Sequence, residues 1–74
     1  MARVLIVDDE ENIREGLREY AEFEGHTVTE AVDGMDAVNK CKNNDFDVII
    51  MDIMMPRLDG FSAWKFERLK IFRY

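Results

Sequence analysis

The sequence predicts an α/β fold: the three-stranded parallel half of a doubly wound sheet, βαβαβα, with strand order 2-1-3. Three observations carry that prediction. Val4-Leu5-Ile6-Val7 and Phe46-Asp47-Val48-Ile49-Ile50-Met51 are mostly apolar, rich in β-branched residues, and each stops at an aspartate. Runs of that kind suit strands covered on both faces, as in a parallel sheet. Between the strands, apolar residues recur at helical spacing, and strands alternating with helices imply right-handed crossovers. The chain is 74 residues long, which supports one domain at most.

The elements follow in order. Val4 to Val7 is the first strand, ending at Asp8-Asp9. Glu10 and Glu11 then crowd a first helical turn, where the helix dipole favours acids. Ile13, Leu17, Tyr20 and Ala21 fall at helical spacing, and Gly25 sits where a helix-ending glycine would. The spacing predicts a helix over 11–24. His26 to Ala31 reads as a short strand, with Val28 between two threonines. Asp33-Gly34 is a turn signal. Met35, Val38 and Cys41, with Ala37 beside them, predict a short helix ending at Asn43-Asn44. The third strand, Phe46 to Met51, ends at Asp52. A loop with Met54, Met55, Pro56 and Gly60 leads to a third helix from Phe61, with Trp64, Leu69 and Phe72 as its apolar members.

Composition excludes several classes. A net charge of -6 leaves no excess of Lys and Arg to neutralise phosphates, so a direct nucleic-acid partner is not expected. The apolar runs are too short to span a membrane, and Met1-Ala2-Arg3 leads straight into a strand with no signal peptide in view. Cys41 is the lone cysteine, so no internal disulfide forms. With His26 the lone histidine, no Cys/His zinc cluster forms either. A free thiol fits a reducing cytoplasm, the expected location. The absence of Gln and the abundance of charge lean towards a thermophilic source.

Ligands of an open parallel sheet bind beyond the carboxyl ends of its strands. Asp8 and Asp9 close the first strand and Asp52 closes the third. If those strands are neighbours, three carboxylates converge, and a cation relieves their repulsion. Oxygen-only ligation suits Mg²⁺. A carboxylate beside Mg²⁺ can also attack a phosphoryl group and become an acyl phosphate. The competing reading is capping: Asp8 or Asp9 as N-cap of the first helix, Asp52 as the start of a turn. For one aspartate alone capping is the better reading. For a pair plus a single, each ending a buried strand, the functional reading is stronger.

Val4-Leu5-Ile6-Val7-Asp8-Asp9-Glu10 resembles the opening of bacterial response-regulator receiver domains. So does Asp47 to Pro56, followed by Asp59-Gly60, and Ala31-Val32-Asp33-Gly34-Met35-Asp36-Ala37 is similar to the family's join of second strand to second helix. The resemblance covers about residues 2–64. It implies a flavodoxin-like fold and a phosphoacceptor module of a two-component phosphorelay, not an ordinary enzyme. It implies Asp52 as phospho-acceptor, with Mg²⁺ held by Asp9 directly, by Asp8 through water, by Asp52 and by the Met54 backbone carbonyl. Pro56 and Gly60 would shape the adjoining loop. The implied partner is a sensor histidine kinase.

The family continues through a fourth strand ending in Ser or Thr and a fifth ending in Lys, both of which contact the phosphoryl group. These have no match here, so phosphotransfer is expected to be impaired. The alternative is a non-signalling structural fragment that folds as a homodimer without phosphotransfer. Residues 1–64 hold 6 Lys/Arg and 15 Asp/Glu, whereas 65–74 hold 4 and 1. The tail is therefore expected to be foreign to the family, continuing the third helix at first, with 70–74 open between helix and exchanged strand. With codons freely chosen, a one-base shift of frame from Lys65 spells Ile-Arg-Lys-Ile-Lys-Asp-Ile-Pro-Val, a family-like continuation. A truncated, frameshifted receiver domain is the resulting expectation.

With no fourth strand, the third strand would keep an unpaired outer edge. A two-fold homodimer is expected to cover it, with Trp64, Phe66, Leu69, Ile71, Phe72 and Tyr74 across the seam. His26 reads as an exposed or edge histidine and Cys41 as a half-buried thiol. Met51, Met54 and Met55 read as packing.

Overall fold

β1 (Arg3–Val7) is an inner strand of a four-stranded sheet ordered β2-β1-β3-β4, in which every pair is parallel. The computed structural model describes residues 1–51 and the strand at 70–73. After β1 come α1 (Glu11–Phe23), β2 (Thr27–Ala31), α2 (Gly34–Asn43), β3 (Val48–Met51) and β4 (Lys70–Arg73). Val4, Leu5, Ile6 and Val7 are all buried, as an unbroken apolar run in a central parallel strand requires. Val4 pairs with Val28 and with Val48, and Val7 pairs with Ala31 and with Met51. The order 2-1-3 is the one read from the sequence.

Boundaries shift by one or two residues from that reading, with physical reasons. β3 starts at Val48 because the two residues before it do other work. Phe46 is buried in the core. Asp47 Oδ2 accepts the Arg3 N–H at 2.8 Å, and the Asp47 N–H donates to the Arg3 carbonyl at 2.8 Å, which pins β3 to β1 at its entry. α1 ends in a Schellman motif: the His26 N–H donates to the Ala21 carbonyl and the Gly25 N–H to the Glu22 carbonyl. Gly25 has φ of 88°, a conformation costly for any residue with a Cβ. Asp33-Gly34 is the start of α2. Asp33 is its N-cap, accepting the Asp36 N–H at 2.7 Å, while Asp36 Oδ2 accepts the Val32 N–H at 3.0 Å.

The step from β1 to β2 runs one way along the sheet, and the step from β2 to β3 runs back past β1. Right-handed crossovers then put α1 and α2 on opposite faces. On the α2 face Leu5, Val7, Ala31, Ala37, Phe46, Ile49 and Met51 form the core, with Val38 and Cys41 packed against it. The half-buried Cys41 matches its reading. The α1 face is thinner. Ala21 is buried there, while Val48 and Ile50 on β3 are only half-buried.

β4 bears on two expectations. The sheet has a fourth strand, paired with β3 from Val48 with Lys70 to Met51 with Arg73. Residues 70–73, left open between helix and exchanged strand, form a strand. The unpaired β3 edge on which the homodimer was argued is satisfied within the chain. The reason is the one that made that edge suspect: its bare N–H and C=O groups draw in a strand, and Ile71-Phe72 has the β-branched and aromatic composition to supply one. The expected third helix, Trp64, Phe66, Leu69 and Tyr74 lie outside the described residues.

Candidate functional site

Asp8 is the first residue past β1, and it is wholly buried. Its N–H extends the β1–β2 ladder by donating to the Ala31 carbonyl at 3.1 Å. Its Oδ1 accepts the Glu10 N–H at 2.8 Å. That bond matters because Glu10, the N-cap of α1, makes no side-chain cap of its own. The capping role of Asp8 is thus partly real, two residues before the N-cap position of α1. Asp9 is exposed beside it. One chain segment therefore presents a buried carboxylate and a solvent-facing one.

A charged network fixes this strand end. Arg14, one turn into α1, donates from Nη1 to the Asp8 carbonyl at 2.8 Å and from Nε to Glu30 Oε1 at 3.0 Å. Arg18 Nη1 donates to Glu30 Oε2 at 2.8 Å, so one β2 carboxylate binds two α1 guanidinium groups. From the other face of the sheet, Lys40 Nζ donates to the Glu30 carbonyl and lies 3.3 Å from Asp36 Oδ2. Reading the sequence missed Arg14, Glu30 and Lys40 as a unit. The available signal was Glu30 itself: a carboxylate within a parallel strand demands a cationic partner.

Val7 pairs with Met51, the residues immediately before Asp8 and Asp52. Asp52 and Met54 lie outside the described residues, as do Pro56 and Gly60. Among the described residues no three His, Cys, Asp or Glu side chains are grouped to hold a metal ion. Asp8 and Asp9 offer two carboxylates with oxygen-only chemistry, which matches the one or two carboxylates Mg²⁺ takes while it keeps several waters. His26 does not join the acidic corner. It is half-buried at the opposite end of the sheet, where its Nδ1 accepts the Ala2 N–H at 3.0 Å.

Fold and site together define a doubly wound α/β module with an acidic pair at the carboxyl end of its central strand. The response regulator receiver domain family matches residues 4–69, five residues past the boundary expected at 64. The chain belongs to that family. It is 47% identical over 61 residues to the response regulator MprA of Mycobacterium sp. (strain KMS), an alignment covering 82% of this chain and 26% of that one. The chain thus spans about a quarter of the length of the curated relatives it matches. Among solved structures, chemotaxis response regulator CheY4 of Vibrio cholerae superposes with a TM-score of 0.86 at 34% identity, covering 99% of this chain and 67% of that one. Response regulator TrrA of Thermotoga maritima, solved with Mg²⁺ and BeF, gives 0.82 at 38% identity, covering 96% and 66%. TrrA has also been solved with the histidine kinase ThkA. No helix among the described residues is long and apolar enough to cross a membrane.

Proposed function

We propose that this receiver domain accepts a phosphoryl group on Asp52 from a sensor histidine kinase or a small phosphodonor in the cytoplasm. The observation that carries the reading is the wholly buried Asp8 one residue past the Val7–Met51 pair. The next residue after Met51 is Asp52. The Mg²⁺ complex of TrrA and its complex with a kinase support the same reading by likeness.

In this proposal Asp8, Asp9, Asp52 and the Met54 carbonyl hold Mg²⁺. The metal supplies charge neutralisation at the phosphoryl oxygens. An Asp52 carboxylate oxygen forms the new bond to phosphorus, and the donor's bond to phosphorus breaks with its electron pair leaving on the donor. Asp8 keeps the strand end in place through its bond to the Glu10 N–H. The proposal includes slow phosphotransfer by these 74 residues on their own, since none of them matches the family's strand-ending Ser/Thr and Lys.

Incubation with a small phosphodonor and Mg²⁺, followed by intact mass, tests this. A slow, partial gain of one phosphoryl group, abolished by Asp52→Asn, is the expected result. Asp9→Asn should weaken Mg²⁺ binding more than Asp8→Asn. No adduct at any time favours the alternative of a structural fragment. Rapid stoichiometric phosphorylation refutes the impairment.

A further inference from the structure

We propose that Arg14 and Glu30 are positioning residues for the acidic pair: Arg14 fixes the peptide plane that joins Asp8 to Asp9, and Glu30 holds Arg14 in place and offsets its charge. The inference rests on the reading of Asp8 and Asp9 as Mg²⁺ ligands and concerns what sets their affinity.

Asp8 is tied down at three points. Its N–H donates to the Ala31 carbonyl, its Oδ1 accepts the Glu10 N–H, and its own carbonyl accepts Arg14 Nη1 at 2.8 Å. That carbonyl oxygen belongs to the Asp8–Asp9 peptide bond. The peptide is planar, so holding its oxygen holds the direction in which Asp9 leaves the strand. Asp9 is exposed, so the aim of its carboxylate depends on the backbone beneath it.

A guanidinium suits this role. Both of its bonds come from one rigid plane, Nη1 to the Asp8 carbonyl and Nε to Glu30 Oε1 at 3.0 Å. Fixing one bond on β2 therefore sets the direction of the other. Glu30 is a firm anchor. It lies in β2 opposite Ile6. Its second oxygen accepts Arg18 Nη1 at 2.8 Å, and its backbone carbonyl accepts Lys40 Nζ from α2 on the other face of the sheet. The anchor is thus gripped from both faces.

Charge makes the role testable. A cation beside a metal site opposes the metal, and the Glu30 carboxylate offsets that opposition. Acting by charge alone, Arg14 would weaken Mg²⁺ binding, and its removal would tighten it. Acting by position, Arg14 strengthens binding, and its removal weakens it. A side chain that only supported the fold would leave the affinity of the folded chain unchanged.

The test titrates Mg²⁺ alone into the full chain, read by calorimetry and by NMR shifts of the Asp9 and Glu10 amides. Circular dichroism sets a temperature at which each variant is folded. Arg14→Met keeps an apolar stem and removes both bonds, and should weaken Mg²⁺ binding about tenfold or more. Arg14→Lys keeps the charge but cannot serve both partners as a fork, and should weaken binding by a smaller factor. Arg18→Met removes a cation from the same Glu30 and leaves the bond to the Asp8 carbonyl, so it should not weaken binding. Unchanged or tighter binding by Arg14→Met overturns the proposal. Where that variant does not fold, wild-type affinity in Arg14→Lys overturns it. Equal weakening by Arg18→Met and Arg14→Met also overturns it, in favour of a charge network that acts as a whole. No Mg²⁺ binding by the wild-type chain overturns the metal reading itself, and the proposal with it.

Discussion

Arg14 Nε stands 3.0 Å from Glu30 Oε1, and the same guanidinium reaches the Asp8 carbonyl at 2.8 Å. Three elements meet in that side chain: α1, which carries it, β2, which holds its counter-charge, and the end of β1, where the acidic pair begins. Arg14 is 13% exposed and Glu30 26%, so the pair is better shielded than a surface ion pair. Removing Glu30 leaves a mostly buried guanidinium with its main partner gone.

Glu30→Ala should therefore destabilise the domain by about 2–3 kcal/mol. Arg18→Ala, at a side chain 40% exposed, should cost under about 1 kcal/mol. Urea unfolding of the three proteins checks the ranking. Equal costs for the two variants would show that the Arg14 bond to Glu30 adds nothing beyond the Arg18 bond.

Two glycines should respond with opposite signs. Gly16→Ala is expected to stabilise by about 0.5–1 kcal/mol, since its Cβ enters open space in a helix interior. Gly25→Ala forces a Cβ into φ of 88° at the helix end, and should cost about 1 kcal/mol. Thermal melts of both variants at one concentration decide. A stabilising Gly25→Ala would mean that the Schellman turn is not maintained in solution.

Ile49 is fully buried in the α2-side core, whereas Met35 on α2 is 62% exposed. Ile49→Ala should cost about 2–5 kcal/mol through lost burial and the cavity left behind. Met35→Ala should stay within about 0.5 kcal/mol of wild type. Chemical denaturation gives both values. A near-neutral Ile49→Ala would indicate a core that collapses around the missing atoms.

Cys41 is half-buried against the same core, and desolvation raises its thiol above the ordinary 9.0. The folded state then favours the neutral thiol. Its stabilising contribution is complete below 9.0. It is lost as pH climbs from there through the folded value, because the unfolded chain gives up the proton first. The stability difference between wild type and Cys41→Ala should thus be constant at neutral pH and shrink in alkali. Alkylation near neutral pH should be slower than in an unstructured thiol peptide. A fast-reacting Cys41 would place the thiol in solvent.

Local pattern determined much of this protein. β1 and β3 were legible because a strand buried on both faces must be apolar throughout, and α1 and α2 because their core-facing residues repeat with the helix. Asp8 and Asp9 stood out as charges set at the end of such a strand. Gly25 was legible because a left-handed residue ends the helix. Tertiary structure decided what depends on neighbours distant in sequence. Arg14 and Glu30 are 16 residues apart and meet only when β2 lies beside β1 under α1. Ile71-Phe72 has strand composition, but a run that short leaves helix and strand open, and pairing with the β3 edge decided it. Ile13 and Tyr20 share the apolar spacing of Leu17 and Ala21, yet they remain exposed where α1 stops short of β3. Periodicity marks which side of a helix is apolar, and only packing determines how much of that side another element covers.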